Sequence, residues 1–574
     1  MPLPWTRETG RWRSSPLNSP RVCRRSSKTK FCRRFNSCSP TSRGTLTTAD
    51  QGGVSHKEVA SFVTDAYPTG SRQKTEHGSS ELLTALDDSA FTKRHGVIYG
   101  TALAGHFLDG FVINTTGVVL PGVIATYHIT SKQAGYLSSA LFLGMLVGAA
   151  IAGIVSDRLG RKFPLAVCLL IFAGFSVLAA LSWSYPSLMA ARFCQGIGLG
   201  AEIAVVLPYI TEFVPSRHRA PLVTTATAAW LVGLPVSALV GTAVVPTFGW
   251  RSMFYIGIAP VVVSVVMLAV LPESVRYLLR KQRHAEAQRV VFALSTARPA
   301  PSAARPADTA ANVPSAPEQR TAGSVRKLLT GRYLKFTVSL WFMELCAGAF
   351  LYGLSTWLPS ILEKKGIGLI GSLAYTAIIT AAGVLGALLA GYVAKRVGRR
   401  PAIVCGLLLS GLLCLWWGAV STTLPVIVIG CVATFFGSGI AGSTLFVYAS
   451  ELYPTFNRAT GLGWAAAWQK AGGLVIPTVI GWVLALHSSN YIFFVLFAVI
   501  SLLAGISGLV ATFETKGKTI EQIAAFLEPD RTHNVGESLV GAAASPSSPS
   551  SPSSPSSPNP VTGFTAQYDQ ETGR

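Results

Sequence analysis

The sequence predicts an all-α integral membrane protein with twelve transmembrane helices in two six-helix bundles. Composition is the first reason: the 574-residue chain is 50% hydrophobic and 13% charged, whereas a water-soluble domain carries roughly 25% charged residues. Length is the second: the apolar residues fall into about twelve runs of about twenty residues, the length a helix needs to cross about 30 Å of hydrocarbon. The third is an internal repeat. "GIVSDRLGRK" (153–162) recurs as "GYVAKRVGRR" (391–400), 238 residues on, and "EFVPSRHR" (212–219) recurs as "ELYPTFNR" (451–458), 239 residues on.

The first six runs lie near 97–119, 134–155, 163–183, 187–209, 222–244 and 252–271, and the second six near 336–358, 370–394, 401–420, 425–447, 460–484 and 491–513. Run two of each half ends in the first repeated motif and run four in the second. In the second motif Pro follows Glu by three positions and Arg follows by seven, in both copies. Parallel repeats of six spans, with a site at their interface near the midplane, are one plan of secondary transporters. The chain accordingly divides into a disordered basic tail (1–90), a first bundle (91–275), a linker loop (276–335), a second bundle (336–513) and a tail with a Ser/Pro repeat (514–574).

The net charge of +22 invites a nucleic-acid reading, but its distribution argues for topology. Eleven Lys or Arg against one acid occupy residues 1–48, and twelve occupy 276–335; others sit at Arg158, Arg161, Lys162, Arg217, Arg219, Lys395, Arg396, Arg399, Arg400 and Arg458. The intervening loops carry few. This alternation places both termini and the middle loop in the cytoplasm of a multi-pass protein of the cell membrane. Nine cysteines show no zinc-ligand spacing, and the chain has no nucleotide-binding loop or nucleophile constellation. The expectation is a monomeric non-enzyme without cofactor or metal, whose partners are lipid, a small molecule and protons.

The repeated segments carry a family resemblance. "GIVSDRLGRK" matches the G-x-x-x-D-R-x-G-R-R/K loop of the major facilitator superfamily, and "ARFCQGIGLGAE" in span four resembles its Arg-plus-glycines motif. "LPESVRYLLRK" and "FETKGKTIEQI" are similar to the sugar-and-metabolite branch, across roughly residues 95–527. "LDGF" in span one, "GWRSMFYIG" before span six and "STWLP" ending span seven look like the metabolite:proton symporters, especially the aromatic-acid:proton group. That group reads Asp-Gly-Phe/Tyr-Asp in span one, where this chain has Val112 in place of the second acid. The resemblance implies alternating access, proton coupling and a small organic acid as substrate. A sugar or neutral-metabolite transporter, a drug or metabolite exporter and a transporter-like sensor are the alternatives.

Charges inside the spans are the candidate site. Asp109 is the sole Asp, Glu, Lys or Arg from Gly96 to Ser131. A central Asp opposes insertion by about 2.5–3.5 kcal/mol, and such residues usually face the bundle interior and bear function. Low dielectric lets a carboxyl exist neutral as well as charged near physiological pH, as proton coupling requires. His106, one turn earlier, shares its face and is placed to hydrogen-bond it; Glu202, Glu344 and Arg192 complete the proton-coupling candidates. Lys470 in "AAWQKAGGLV" is a buried ammonium, which must be paired or transiently neutralised. A carboxylate substrate would do this; permanent pairing with Glu344 or Asp109 is the competing reading, and a structural ion pair is likewise the alternative for Asp109. The resemblance adds that the group often carries a basic residue near this position. Phe111, Trp230, Tyr352, Trp464 and Trp468 are candidates to stack on a substrate ring. At the cytoplasmic helix ends, Gly153, Asp157, Arg158, Gly160, Arg161, Glu212, Arg217, Arg219, Glu451 and Arg458 are candidates for a charged latch between the bundles, against simple topology marking. Glycines of spans two, four, eight and ten mark close helix packing.

Overall fold

The computed structural model describes residues 79–294, 325–453, 455–486, 489–518 and 520–527; the Ser/Pro repeat, residues 1–78 and 295–324 lie outside the described residues. Among the described residues there is no strand. Twelve helices are long and apolar enough to span a membrane. They are α1 Lys93–Tyr127, α2 Ser131–Leu159, α3 Lys162–Ala180, α4 Tyr185–Phe213, α5 Ser216–Phe248 and α6 Arg251–Val270. The second set is α7 Tyr333–Lys364, α8 Leu369–Val397, α9 Arg399–Ala419, α10 Thr423–Leu452, α11 Thr455–Leu486 and α12 Tyr491–Ala511. Most outrun the apolar runs by a turn or two, because polar residues continue the helix beyond the hydrocarbon.

Local chemistry sets the helix starts. Thr92, Thr130 and Ser184 cap α1, α2 and α4 through reciprocal side-chain and backbone bonds with His95, Gln133 and Ser187, satisfying amide groups a helix start leaves open. Two helices depart from regularity. Pro260 divides α6 into Arg251–Ile256 and Pro260–Val270, and α10 contains a π-helical stretch, Phe435–Ala441. The tails are also more structured than expected. Residues 79–87 form a helix with Leu86 buried; helices Val275–Arg280 and His284–Leu294 occupy the start of the predicted linker loop, and Ile520–Leu527 the start of the second tail. Their apolar residues dock on the bundles, a long-range gain that local composition does not display.

Within the first half, α2 packs on α4, α1 on α5 and α3 on α4; within the second, α7 packs on α11, α9 on α12 and α8 on the π-helical part of α10. Glycine allows the closest of these approaches. A Cβ at Gly144 or Gly148 would collide with the carbonyl oxygens of Phe193 or Ile197, and one at Gly196 or Gly200 with those of Leu141 or Met145. The predicted packing role therefore holds for these four, while Gly153 and Gly391 have nothing within 4 Å of where a Cβ would sit. Large apolar side chains such as Val262 (68%), Val510 (66%) and Ile154 (61%) stay exposed, an arrangement suited to a hydrocarbon solvent.

The halves touch through α2 with α11, α5 with α8, and α1 with α7, and they touch at one end. Gly135 lies against Pro477, and Gly481 against Ser131. Five turns away on the same faces, 18 residues at 3.6 per turn, Gly153 of α2 and Gly463 of α11 have no neighbour within 4 Å. Both open positions belong to the end that carries the basic loops. The seam is closed at the far end, where Ser139 Oγ donates to the Leu474 carbonyl and lies 2.8 Å from Thr478 Oγ1, Trp482 Nε1 donates to Tyr136 Oη at 2.9 Å, and Lys132 Nζ lies 4.3 Å over the Trp482 ring.

Candidate functional site

The charged residues inside the spans converge from both halves. Asp109 is fully buried on α1, and its Oδ2 accepts a hydrogen bond from Trp230 Nε1 of α5 at 2.8 Å. Among the described residues its Oδ1 has no hydrogen-bond partner. This geometry follows from glycine again: Gly110 lies against the Trp230 carbonyl and Gly233 against the Phe111 amide, so α1 and α5 approach closely here. From α4, Glu202 is also fully buried, with Oε1 unpartnered among the described residues.

His106 meets a different partner from the one expected. Its Nδ1 lies 3.2 Å from Glu202 Oε2, not on Asp109, because α4 crosses the same face of α1 and supplies a nearer acceptor. A His106 nitrogen and one carboxylate oxygen each of Asp109 and Glu202 nonetheless lie within 4.8 Å of one another. Two buried carboxyl groups in such proximity oppose one another when both are charged, and so call for a compensating cation.

Compensation comes across the interface. Lys470 of α11 interacts electrostatically with Asp109 and Glu344, and its ammonium donates to the Tyr352 hydroxyl of α7. It lies 4.8 Å over the Tyr352 ring and 5.2 Å over the Trp230 ring. Tyr352 in turn packs at 4.6 Å on Phe142 and edge-on at 6.2 Å to Trp230. Among the described residues no carboxylate lies within ion-pair distance of Lys470, so the permanent pairing with Glu344 or Asp109 weighed from sequence is absent here. The rings of Trp230 and Tyr352, the latter packed on Phe142, therefore face a cation opposite a carboxyl group. Phe142 was not foreseen; it is a buried Phe in an apolar run, and nothing local marks it.

Other candidates settle elsewhere. Phe111 is buried in the apolar core beside α5. Trp464 and Trp468 stack on Trp341 of α7 at 5.5 and 6.0 Å, a separate aromatic group toward the basic end. Arg192 is fully buried but joins no carboxylate: it donates to Thr116 and Gln195 and lies 5.4 Å over the Phe254 ring. Glu344 is buried on α7 with Gln469 Nε2 at 3.4 Å. A small cavity lined by Leu231, Leu234, Leu354, Ser355, Thr380 and Ser438 lies where α5 meets α7, α8 and α10.

Among the described residues, the charged groups at the basic end pair within each half, not between halves. Arg161 Nε lies 3.4 Å from Glu212 Oε1, and Arg399 Nη2 lies 2.9 Å from Glu451 Oε1. The repeat extends to two residues whose role was missed. Glu273 Oε1 accepts from the Arg161 amide at 2.7 Å, and Glu514 Oε1 from the Arg399 amide at 2.9 Å. Each carboxylate caps the start of α3 or α9, helices without a side-chain cap of their own, and fills the space beside Gly160 (φ 94°) or Gly398 (φ 107°) that a Cβ would meet. Their offset of 241 residues, close to the motif spacing, was the available signal. Asp157 meets Arg280 at 3.8 Å with both side chains more than half exposed, a pair worth little. Arg219 meets Asp87 of the 79–87 helix at 2.6 Å, the Arg158 carbonyl accepts from Tyr277, Arg217 is exposed, and two nitrogens of the half-buried Arg458 lack a partner among the described residues.

Comparison with known proteins agrees with this architecture. The niacin transporter NiaP of Acinetobacter baylyi is 29% identical over 77% of this chain and 99% of its own. The 4-hydroxybenzoate transporter PcaK of Pseudomonas aeruginosa is 31% identical over 64% of this chain and 82% of its own. A partially occluded inward-open structure of the xylose transporter XylE from E. coli matches with a TM-score of 0.60 at 18% identity, over 75% of this chain and all of that one; at that identity the likeness is one of fold. Residues 61–527 match the family model described as sugar (and other) transporter, and with twelve apolar helices in two repeated bundles the chain belongs to that family of major facilitator membrane transporters.

Proposed function

We propose that the protein is a secondary active symporter that moves a small aromatic acid together with a proton by alternating access. The observation that carries this reading is the placement, across the interface from a buried, half-satisfied carboxyl, Asp109, of the half-buried ammonium of Lys470 against the aromatic rings of Trp230 and Tyr352. An ammonium whose contacts among the described residues are a phenol and ring faces is a ready receptor for a carboxylate, and the rings suit a planar substrate. Asp109, sharing its surroundings with Glu202 and His106, carries the proton. A substrate anion arriving at Lys470 removes the cation that balances Asp109, so substrate and proton binding favour each other. The naming of relatives for niacin and 4-hydroxybenzoate, both aromatic carboxylates, supports the same substrate class.

With the basic loops in the cytoplasm, the open end of the seam faces inward and the closed end outward. The charged pairs at the basic end act as within-bundle braces in this state. Uptake of labelled aromatic acids into proteoliposomes, with and without an inward proton gradient, tests the reading. Accumulation should require the gradient, and Asp109→Asn should abolish accumulation while leaving expression and exchange of substrate intact. Uptake indifferent to the gradient, or full accumulation by the Asn variant, would refute proton coupling through this residue.

A further inference from the structure

We infer that Glu344 reads the edge of the substrate ring remote from its carboxylate, so that the transported acids carry a hydroxyl or ring nitrogen there. This inference rests on the aromatic-acid reading above. Glu344 is 1% exposed. Its Oε2 receives a long hydrogen bond from Gln469 at 3.4 Å, and its Oε1 has no partner among the described residues. No cation lies within ion-pair distance of it among the described residues. A buried carboxyl left half-satisfied calls for a hydrogen-bonding group that the chain itself does not supply.

The surroundings indicate which group. Lys470 follows Gln469 directly on α11, and its ammonium reaches away to Tyr352 while remaining in electrostatic contact with both Glu344 and Asp109. On α7, eight residues separate Glu344 from Tyr352, about 12 Å of helix rise, so carboxyl and ammonium mark two ends of one strip along the α7–α11 seam. Behind the strip the helices touch backbone to backbone: a Cβ at Gly348 would strike Gln469, and one at Gly472 would strike Leu345. Trp341, three residues before Glu344 on α7, and Trp468 of α11 stack on one another at 6.0 Å and 27° and close the strip toward the basic end. A ligand lying along this strip offers a carboxylate to Lys470, a planar ring to the faces of Trp230 and Tyr352 and a polar edge to Glu344. The carboxyl group serves either kind of edge: ionised it accepts from a hydroxyl, and protonated it donates to a ring nitrogen.

A site built to exchange a hydrogen bond rejects the analogue lacking that group far more strongly than an apolar pocket does. Competition against labelled substrate should therefore rank 4-hydroxybenzoate and nicotinate ahead of benzoate by at least about tenfold. In Glu344→Gln and Glu344→Leu the gap should shrink, most in the Leu variant, through weaker binding of the substituted acids with benzoate unchanged. Should either variant fail to transport, quenching of tryptophan fluorescence in the purified protein gives the same ratio from binding alone. An unmodified ratio in both variants overturns this inference while leaving the aromatic-acid reading intact. Failure of the unaltered protein to bind or move any of the three acids overturns both.

Discussion

Gly135→Val is the perturbation that most directly tests how the two halves meet. The Cβ of residue 135 would sit 2.6 Å from the Pro477 carbonyl oxygen and 2.9 Å from the Thr478 Cα. Both are backbone of α11, which cannot swing aside as a side chain can. Overpacking of this kind costs about 1–3 kcal/mol, and the penalty falls on the state whose far end is closed. At about 1.4 kcal/mol per tenfold, the balance should move about 5- to 150-fold toward the state with that end open. Gly153→Val is the internal control, because it lies on the same face of α2 and has nothing within 4 Å in this state. By the symmetry of the motion it should penalise only the reverse state. The assay is the labelling rate of Thr478→Cys by an impermeant maleimide applied from the side opposite the basic loops, corrected for native cysteines such as the exposed Cys405. Gly135→Val should accelerate labelling and Gly153→Val should leave it unchanged or slow it. Equal rates in Gly135→Val and the parent, or equal acceleration by both valines, would refute rocking about the closed α2–α11 seam.

Two further outcomes follow from the geometry. Glu273→Ala leaves the α3 amides of Arg161 and Lys162 without their acceptor and should destabilise the protein by about 1–2 kcal/mol, the worth of a lost helix cap; thermal unfolding in detergent should show Glu514→Ala to match it, and a Glu273 variant as stable as the parent would remove the capping role. Lys470→Ala should raise the half-saturating concentration for aromatic carboxylates about tenfold or more, the worth of a hydrogen bond to a charged group, with uncharged ring analogues unaffected; an equal loss for both would make Lys470 a structural residue.

The parts of the molecule legible in the sequence were those governed by local or periodic rules. Apolar run length predicted all twelve spans, and the paired motifs predicted the twofold division, because each depends on residues close in sequence. Asp109, Glu202, Glu344 and Lys470 were conspicuous because a charge in an apolar run is conspicuous. Their partners were not. His106 sits one turn from Asp109 yet meets Glu202, and Arg161 and Arg399 pair inside their own bundles, since helix crossing decides which acceptor is nearest. Trp464 and Trp468 went to a stack on Trp341, and Phe142 joined the site unannounced.

By itself the sequence determined that this chain is a twelve-helix membrane protein with a two-part repeat and a handful of charges sunk in hydrocarbon, because burying backbone polar groups in lipid leaves few other folds. Only the tertiary structure decided that Lys470 faces Asp109 across the halves, that Trp230 and Tyr352 wall the space between them, and that the seam is open at the basic end. Those outcomes depend on glycine-mediated approach and crossing of helices far apart in sequence, where close fit at each contact, not the composition of any one helix, sets which side chains meet.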